Sequence, residues 1–167
     1  MIIREANNSD LTAIANIHIE SWRDSYSEVF TPEVMNREII PSLKEHWQNI
    51  VIQNDDVVLV AADKDIIGFI AVWCRPIPFI DNLHVKPSLR SKNVGTLLLK
   101  SAAGALLKKE KNSGYLWVFN TNENAIRFYQ KLGGVQTDYS MKEIFGHKVF
   151  SQKFEWKDLS AIVREKI

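Results

Sequence analysis

Residues 80–99 read IDNLHVKPSLRSKNVGTLLL, and this stretch decides the fold. Its first part, Ile80–Val85, alternates apolar and polar side chains, which is typical of a half-buried strand. Pro87 ends that strand because proline has no N–H to donate to a neighbouring strand. A polar and basic link then leads into Val94–Lys109, whose richness in Leu and Ala predicts a long helix. The order is therefore strand, basic connection, helix.

After this helix the chain returns to the sheet. Gly114 restarts it as a strand over Tyr115–Phe119, which predicts a β–α–β unit with one parallel, right-handed crossover. Asn120-Thr121-Asn122 predicts a helix cap, and Gly133-Gly134 predicts the end of that helix. Two strands at about residues 135–145 and 148–156, a turn at Gly146 and a short helix after Lys157 complete the chain.

The first eighty residues contain helices and a hairpin. Asn8-Ser9-Asp10 begins a predicted helix over residues 10–24, and Thr31-Pro32-Glu33 begins a second one. Pro41 should break or restart this second helix, and helical structure then extends to about residue 53. The pattern as a whole predicts an α/β (α+β) fold with a mixed sheet. The hairpin strands are Val57–Ala62 and Ile66–Trp73, joined by a turn at Asp63-Lys64-Asp65.

Composition excludes several classes of protein. The chain has 167 residues, which suits one domain over 1–167 with a sizeable core. Its net charge of +1 argues against binding to nucleic acid, and its longest apolar run, Ile66–Cys74, is too short to cross a membrane. Cys74 is the only cysteine, and the four histidines lack metal-ligand spacing, so we expect no disulfide and no metal. The N-terminus lacks a signal-peptide layout, which favours a cytoplasmic protein.

The start of the long helix has the chemistry of a phosphate site. The first turn of a helix leaves N–H groups without partners, and the helix dipole adds positive charge there. Gly95 allows close approach to the backbone, and Asn93 is a residue type that tolerates left-handed geometry. Lys86, Arg90 and Lys92 add positive charge. Neither a P-loop nor a dinucleotide-binding fingerprint is present.

Two motifs together resemble the GNAT superfamily of N-acetyltransferases. Leu83-His84-Val85-x-Pro87-x-x-Arg90-x-x-Asn93-x-Gly95-x-x-Leu98-Leu99 resembles the family's pyrophosphate loop. Leu116-x-Val118-x-x-x-Asn122-x-x-Ala125-x-x-Phe128-Tyr129-x-Lys131-x-Gly133 resembles its second conserved segment. The chain departs from the family at Ser91 and Asn93, where glycine is usual, and at Gly134, where an aromatic residue is usual.

The resemblance implies a mostly antiparallel twisted sheet with a central splayed parallel pair, flanked by helices, and acetyl-coenzyme A as donor. Backbone N–H groups from about Arg90 to Thr96 would hold the pyrophosphate, and strand Leu83–Val85 would pair with the pantetheine arm. No metal is implied. The implied cofactor-binding residues are Leu83, His84, Val85, Arg90, Ser91, Lys92, Asn93, Val94, Gly95, Thr96, Asn122, Ala125 and Tyr129.

The resemblance also implies catalytic groups. In the family the strand is bulged, and the backbone N–H near Leu83 polarises the thioester carbonyl. Tyr129 matches the tyrosine that protonates the departing thiolate. Some relatives place a basic carboxylate where this chain has Trp117. The candidates for the general base are therefore an ordered water relay and three side chains, Asp81, His84 and Glu28. Of these, the imidazole of His84 would titrate in the right pH range.

The acceptor site is the least defined part of the sequence. His18, Trp22 and Tyr26 lie four residues apart, so they share one helix face if the helix extends that far. Trp22 and Tyr26 are candidates for an aromatic wall around the acceptor, although such a stripe also suits a core. Trp73 and Asp81 are candidates on the sheet, and Asp81 would attract a cationic amine.

The sequence is compatible with three functions. The first is transfer of an acetyl group to a small primary amine by direct attack in a ternary complex, since no nucleophilic Cys or Ser motif is present. The second is a non-catalytic acyl-coenzyme A sensor or interaction module. The third is acetylation of a protein N-terminus or lysine. The acceptor is a small amine or a peptide, nucleic acid and membrane are not expected as partners, and a homodimer is possible.

Overall fold

The computed structural model of the protein describes residues 1–166, and its centre is a seven-stranded sheet with helices on both faces. The strand order is β1-β2-β3-β4-β5-β7-β6, with β4 and β5 parallel and every other neighbouring pair antiparallel. This confirms the predicted mixed sheet. The strands are β1 (Ile2–Glu5), β2 (Val57–Ala62), β3 (Ile66–Cys74), β4 (Pro78–Val85), β5 (Gly114–Phe119), β6 (Val135–Ile144) and β7 (His147–Trp156).

The helices confirm most of the sequence-based prediction. The helices are α1 (Leu11–Ser25), α2 (Pro32–Val34), α3 (Ile40–Gln48), α4 (Val94–Lys108), α5 (Glu123–Lys131) and α6 (Ser160–Arg164). The predicted restart at Pro41 is present, because a π-helical stretch, Met35–Ile39, follows α2, and α3 then begins at Ile40 with Pro41 in its first turn. Helical structure ends at Gln48, five residues before the predicted end. No helix among residues 1–166 is both long and apolar enough to span a bilayer.

Each face of the sheet is covered by its own helices. On one face, α4, α5 and α6 pack against side chains such as Ile70 and Val72. On the other face, α1 and α3 pack against Phe69 and Ala71, with Trp47 of α3 completely buried among them. A third cluster, around Phe30, joins α1, α2 and β7. The two faces of β3 are thus buried at once, which explains why its sequence is continuously apolar.

The parallel pair β4 and β5 separates along its length. The ladder between them consists of one register pair, Phe79 with Tyr115, so the rest of β4 has no ladder partner on its β5 side. On its other side, β4 pairs with β3 throughout, except for a shift that leaves Asp81 as an extra residue. Such a bulge bends the strand and re-aims its side chains. The predicted splayed pair and the bulged strand are therefore both present, and together they open a cleft in the sheet.

Gly134, where the family usually has an aromatic residue, is required by its neighbours. A Cβ built at Gly134 would lie 2.8 Å from Cζ2 of Trp156 and 2.9 Å from the backbone oxygen of Tyr129. The indole of Trp156 also donates to the backbone oxygen of Leu132 at 2.9 Å. The tryptophan therefore fills the space that a larger residue at position 134 would need.

We expect Gly134→Ala to lower the free energy of unfolding by about 1–3 kcal/mol, because neither the indole nor the backbone can yield without breaking packing. Gly104→Ala in α4 is the matched control, since a Cβ there meets nothing within 4 Å. The control should raise stability by about 0.5–1 kcal/mol, since alanine favours helix. Urea denaturation of the two variants measures both effects, and equal stabilities would contradict the packing argument.

Candidate active site

A cleft of about 1370 Å³ opens where β4 and β5 separate. Typical pockets for small ligands measure roughly 300–1,000 Å³, so this cleft has room for more than one reactant. One side is formed by α1 and α3, the floor by β4 and β5, and the other side by the β4–α4 connection and α5. The two predicted motifs therefore face each other across one cavity.

The connection into α4 presents unpartnered backbone donors. Ser91 and Asn93 have φ values of +64° and +61°, which confirms the left-handed geometry expected of Asn93. The first hydrogen bond of the helix runs from the N–H of Leu97 to the oxygen of Asn93, so the preceding N–H groups are left for a ligand. The prediction that the N–H of Arg90 belongs to this site is wrong, because that N–H donates to the backbone oxygen of Pro87 at 3.3 Å. The donors of this anion site therefore begin at Ser91.

Asn122 connects α5 to α1. Its side-chain oxygen accepts from the N–H of Ala125 at 3.2 Å, so it is the predicted N-cap. Its amide nitrogen donates to the hydroxyl of Tyr26, also at 3.2 Å. The amide thus serves both as a helix cap and as a bridge between the two walls of the cleft.

Tyr129 lies on α5 and reaches the cleft from the core. Its ring packs at right angles to Trp156, with centroids 6.1 Å apart, and the residue is 9% exposed. Burial, with a smaller contribution from Tyr26, raises the pKa of the Tyr129 phenol well above its usual value. The phenol therefore stays neutral at physiological pH, as an ordinary tyrosine does.

Arg90 reaches across the cleft to α1. Its guanidinium forms an ion pair with Asp24 and donates to the hydroxyl of Ser21 at 3.1 Å. The same hydroxyl lies 2.8 Å from Nδ1 of His84. Since the cation favours the oxygen of Ser21, the hydroxyl hydrogen is directed to His84, and Nδ1 acts as the acceptor. This chain of contacts ties the loop before α4 to α1 and to β4.

Two neutral histidines form part of the cleft wall. The rings of His18 and His84 stack with centroids 4.6 Å apart, and Trp47 donates to Nδ1 of His18 at 3.0 Å. Burial lowers the pKa of His18 to about 2, with the nearby His84 and His46 adding to the shift. Burial lowers the pKa of His84 to about 3, with Arg90 adding to the shift. The expectation that His84 titrates near neutral pH is therefore wrong.

A model of the Acetyltransferase (GNAT) family matches residues 11–134 of the chain. The chain belongs to the GNAT acetyltransferase family. This confirms the resemblance drawn from the two motifs, and it makes the protein an enzyme of the acyltransferase class.

Several relatives support the assignment. An uncharacterized N-acetyltransferase of Bacillus subtilis, YuaI, is 26% identical over 170 residues and covers 96% of this chain and 95% of its own. The spermidine N(1)-acetyltransferase of Thermoplasma acidophilum is 28% identical over 143 residues, covering 78% of this chain and 86% of its own. The crystal structure of the PaiA N-acetyltransferase from Thermoplasma acidophilum, solved with coenzyme A, superimposes with a TM-score of 0.65 at 22% identity, covering 90% of this chain and 96% of its own.

Most of the GNAT residues predicted from sequence border the cleft. Arg90 and Asn93 lie on the loop side, Tyr129 and the N-cap Asn122 on the α5 side, and Trp22 on the acceptor side. The other predicted cofactor residues on the cleft surface are Leu83, His84, Val85, Ser91, Gly95, Thr96 and Ala125. Lys92 and Val94 do not border it, and neither does Lys86. Val94, the first residue of α4, packs into the core instead.

The acceptor candidates divide into two groups. Trp22 packs edge-on against Tyr26, with centroids 4.9 Å apart, and both border the cleft. Asp81 is exposed on the bulge and also borders it. Trp73 does not border the cleft, because it is buried in the core and acts only through its indole, which donates to the Asp81 carboxylate at 2.9 Å. Glu28 is exposed outside the cleft and is removed as a candidate base.

Sequence reasoning missed several cleft residues of this acetyltransferase. Ser21 falls between His18 and Trp22 on the same face of α1, so helical spacing was a usable signal for it. Arg127 and Glu123 form an exposed ion pair one helical turn apart on α5, and both border the cleft. Other missed residues include Ser42, Leu43, His46, Asn82, Thr121, Asn124 and Lys131.

The histidine pair predicts how the stability of the enzyme depends on pH. His18 and His84 stay neutral in the folded state, whereas in the unfolded chain each accepts a proton below its ordinary pKa of 6.5. The unfolded state then binds more protons, so stability is lost as pH falls below 6.5, by up to about 1.4 kcal/mol per pH unit for each histidine.

We expect urea denaturation to show this loss between pH 6.5 and 5, above the range in which carboxylates titrate. His18→Gln should reduce the pH dependence of the free energy of unfolding by about the contribution of one proton. A stability that is independent of pH over this window would contradict the assignment of two neutral imidazoles to the folded state.

Proposed function

We propose that the cleft transfers an acetyl group from acetyl-coenzyme A to a small primary amine, with both reactants bound at once. The single observation that carries this proposal is the meeting of three features in one cavity. These are the unpaired edge of β4, the free N–H groups that begin at Ser91, and a protonated Tyr129. An acyl thioester with a pyrophosphate needs all three kinds of group.

The residues present fit coenzyme A. The loop holds Ser91 and Asn93 in left-handed geometry at the edge of the cleft, and its N–H groups are without backbone partners among residues 1–166, which suits a pyrophosphate. Arg127 and Lys131 border the same cleft and add positive charge. The unpaired side of β4 over Leu83–Val85 would pair with the amides of the pantetheine arm. When bound, acetyl-coenzyme A supplies an acyl group activated by its thioester.

Groups of the chain itself would stabilise the charge that develops on the carbonyl oxygen and would donate a proton to the leaving sulfur. The backbone N–H of Leu83, just past the bulge, would donate to oxygen charge that develops on the carbonyl. Tyr129 would donate its proton to the leaving sulfur. Cys74 is buried and does not border the cleft, and this supports direct attack by the amine rather than an acyl-cysteine step.

Asp81 is the group best placed to recognise the amine. Its carboxylate is exposed to the cleft on the bulge of β4 and is oriented by the indole of Trp73. A carboxylate there attracts an ammonium group and offers a proton acceptor, whereas His84 with its lowered pKa cannot hold the proton at neutral pH. A small polyamine is the type of acceptor that this carboxylate and the aromatic Trp22 would suit, and the spermidine-acetylating relative is consistent with it.

Binding of coenzyme A tests the first half of the proposal. We expect calorimetric titration to show binding by the natural chain, and we expect Asn93→Asp to weaken it by at least about tenfold, because a negative charge then faces the pyrophosphate. Aspartate tolerates the left-handed backbone and is nearly isosteric, so the fold should persist. Asn36→Asp, the same change on an exposed helix surface, is the control. No binding by the natural chain, or equal binding by both variants, would overturn the assignment.

A further inference from the structure

Within the part of the chain that the structure describes, the side chain of Asn122 keeps one N–H without a protein acceptor. A carboxamide offers two N–H donors and one oxygen that accepts. The oxygen of Asn122 accepts from the N–H of Ala125, and one N–H donates to the hydroxyl of Tyr26, each over 3.2 Å. Asn122 is half-buried and borders the cleft, so its second N–H is left for a ligand bound there.

The two contacts determine how the amide of Asn122 is oriented. If its oxygen and nitrogen exchanged places, the NH2 group would face the N–H of Ala125, and two donors would oppose each other. The helix cap therefore holds the oxygen, and the hydroxyl of Tyr26 holds the nitrogen. Because the amide is planar and is held at both ends, the direction of the second N–H depends on Tyr26.

The ring of Tyr26 is fixed by its neighbours. It is 8% exposed and packs against Trp22 and Phe119, with centroids 4.9 Å from each. Phe119 is the last residue of β5, and its backbone oxygen accepts from the N–H of Asn122 at 2.9 Å. Phe119 thus contacts both members of the hydrogen-bonded pair, which places the hydroxyl of Tyr26 beside the amide of Asn122.

This packing argues against the acceptor role expected of Tyr26. A ring buried between two aromatic side chains presents little surface to an amine, and its hydroxyl already accepts from Asn122. Trp22, in contrast, is half-buried and borders the cleft. Of the two aromatic candidates, Trp22 is therefore the one with surface available to the acceptor.

We propose that Tyr26 is a positioning residue for the coenzyme and not part of the acceptor site. Its hydroxyl orients the amide of Asn122 so that the second N–H donates to an amide carbonyl of the pantetheine arm. This role rests on the proposed use of acetyl-coenzyme A by the same cleft. A donor that is oriented before binding loses less conformational freedom than one that must be ordered by the ligand, and this favours affinity.

Removing the hydroxyl of Tyr26 should weaken binding of coenzyme A and leave the amine unaffected. In calorimetric titration, Tyr26→Phe should bind coenzyme A about three- to tenfold more weakly, as expected for one neutral hydrogen bond. Initial rates at saturating acetyl-coenzyme A should give an unchanged KM for the amine. The ring remains, so its packing against Trp22 and Phe119 should persist. Tyr115→Phe is the control, because Tyr115 does not border the cleft, and it should bind coenzyme A normally.

A double-mutant cycle separates positioning of Asn122 from a general effect on packing. Asn122→Ser keeps a helix cap but has no amide N–H, so it should weaken coenzyme A binding at least as much as Tyr26→Phe does. Adding Tyr26→Phe to Asn122→Ser should cause no further loss, because the group that Tyr26 orients is then absent. A change in packing alone would weaken binding by the same factor in both backgrounds.

Three results would contradict the role of Tyr26 while leaving the proposed function intact. One is equal binding of coenzyme A by Tyr26→Phe and the natural chain. The second is a double variant in which the two losses add. The third is a raised KM for the amine with unchanged coenzyme A affinity, which would return Tyr26 to the acceptor site. Absence of coenzyme A binding by the natural chain would overturn the proposed function and this role together.

Discussion

Tyr129→Phe is expected to lower kcat for acetyl transfer by about 100-fold or more while coenzyme A affinity stays the same. In the proposed mechanism the buried phenol stays protonated and donates its proton to the leaving sulfur. Removing one oxygen leaves the ring packed against Trp156, which preserves the fold. Release of free thiol, followed with a chromogenic disulfide at saturating substrates, measures the loss.

The control for this variant is Tyr115→Phe. Tyr115 stacks on Phe79 in the sheet, with centroids 5.1 Å apart, and it does not border the cleft. It should retain full turnover. If Tyr129→Phe also retains full turnover, the proton comes from another source, and the role assigned to Tyr129 is wrong.

Asp81→Asn is expected to lower kcat/KM for the amine by about 100-fold, again with coenzyme A affinity unchanged. The variant keeps an oxygen that accepts from the Trp73 indole, so the bulge and its packing should persist. What it loses is the negative charge that attracts an ammonium group and the capacity to accept its proton. Initial rates against amine concentration separate the effect from cofactor binding.

Asp65→Asn is the control for Asp81→Asn. Asp65 is an exposed carboxylate in the turn between β2 and β3, distant from the cleft walls, and its loss should leave the kinetics unchanged. Equal kcat/KM values for Asp81→Asn and the natural chain would leave a water relay as the path for the proton.

Local signals in the sequence predicted the parts of the site that depend on local backbone geometry. The left-handed Asn93 and the N-cap Asn122 follow from the conformational preferences of asparagine next to a helix start. The separation of β4 and β5 and the bulge at Asp81 came from the family resemblance, since no local propensity encodes them.

The remaining features depend on which distant side chains meet. Arg90 was assigned to the pyrophosphate loop, but its guanidinium binds Asp24 and Ser21, which precede it by more than sixty residues. Burial of the imidazole lowers the pKa of His84, with Arg90 adding to the shift, and the ring stacks against His18 of α1. Both outcomes depend on how α1 packs against β4 and the loop that follows it. The spacing of residues within one segment does not predict that packing.

The most direct measurement is release of coenzyme A thiol from acetyl-coenzyme A on addition of primary amines. A panel from monoamines to polyamines, with a peptide N-terminus included, should show thiol release that needs both the enzyme and a polyamine, together with the acetylated amine in the mass spectrum. Asp81→Asn and Tyr129→Phe should each reduce it. Coenzyme A binding without transfer to any amine would contradict the proposed activity and favour a sensor, and transfer to the peptide alone would contradict the proposed acceptor.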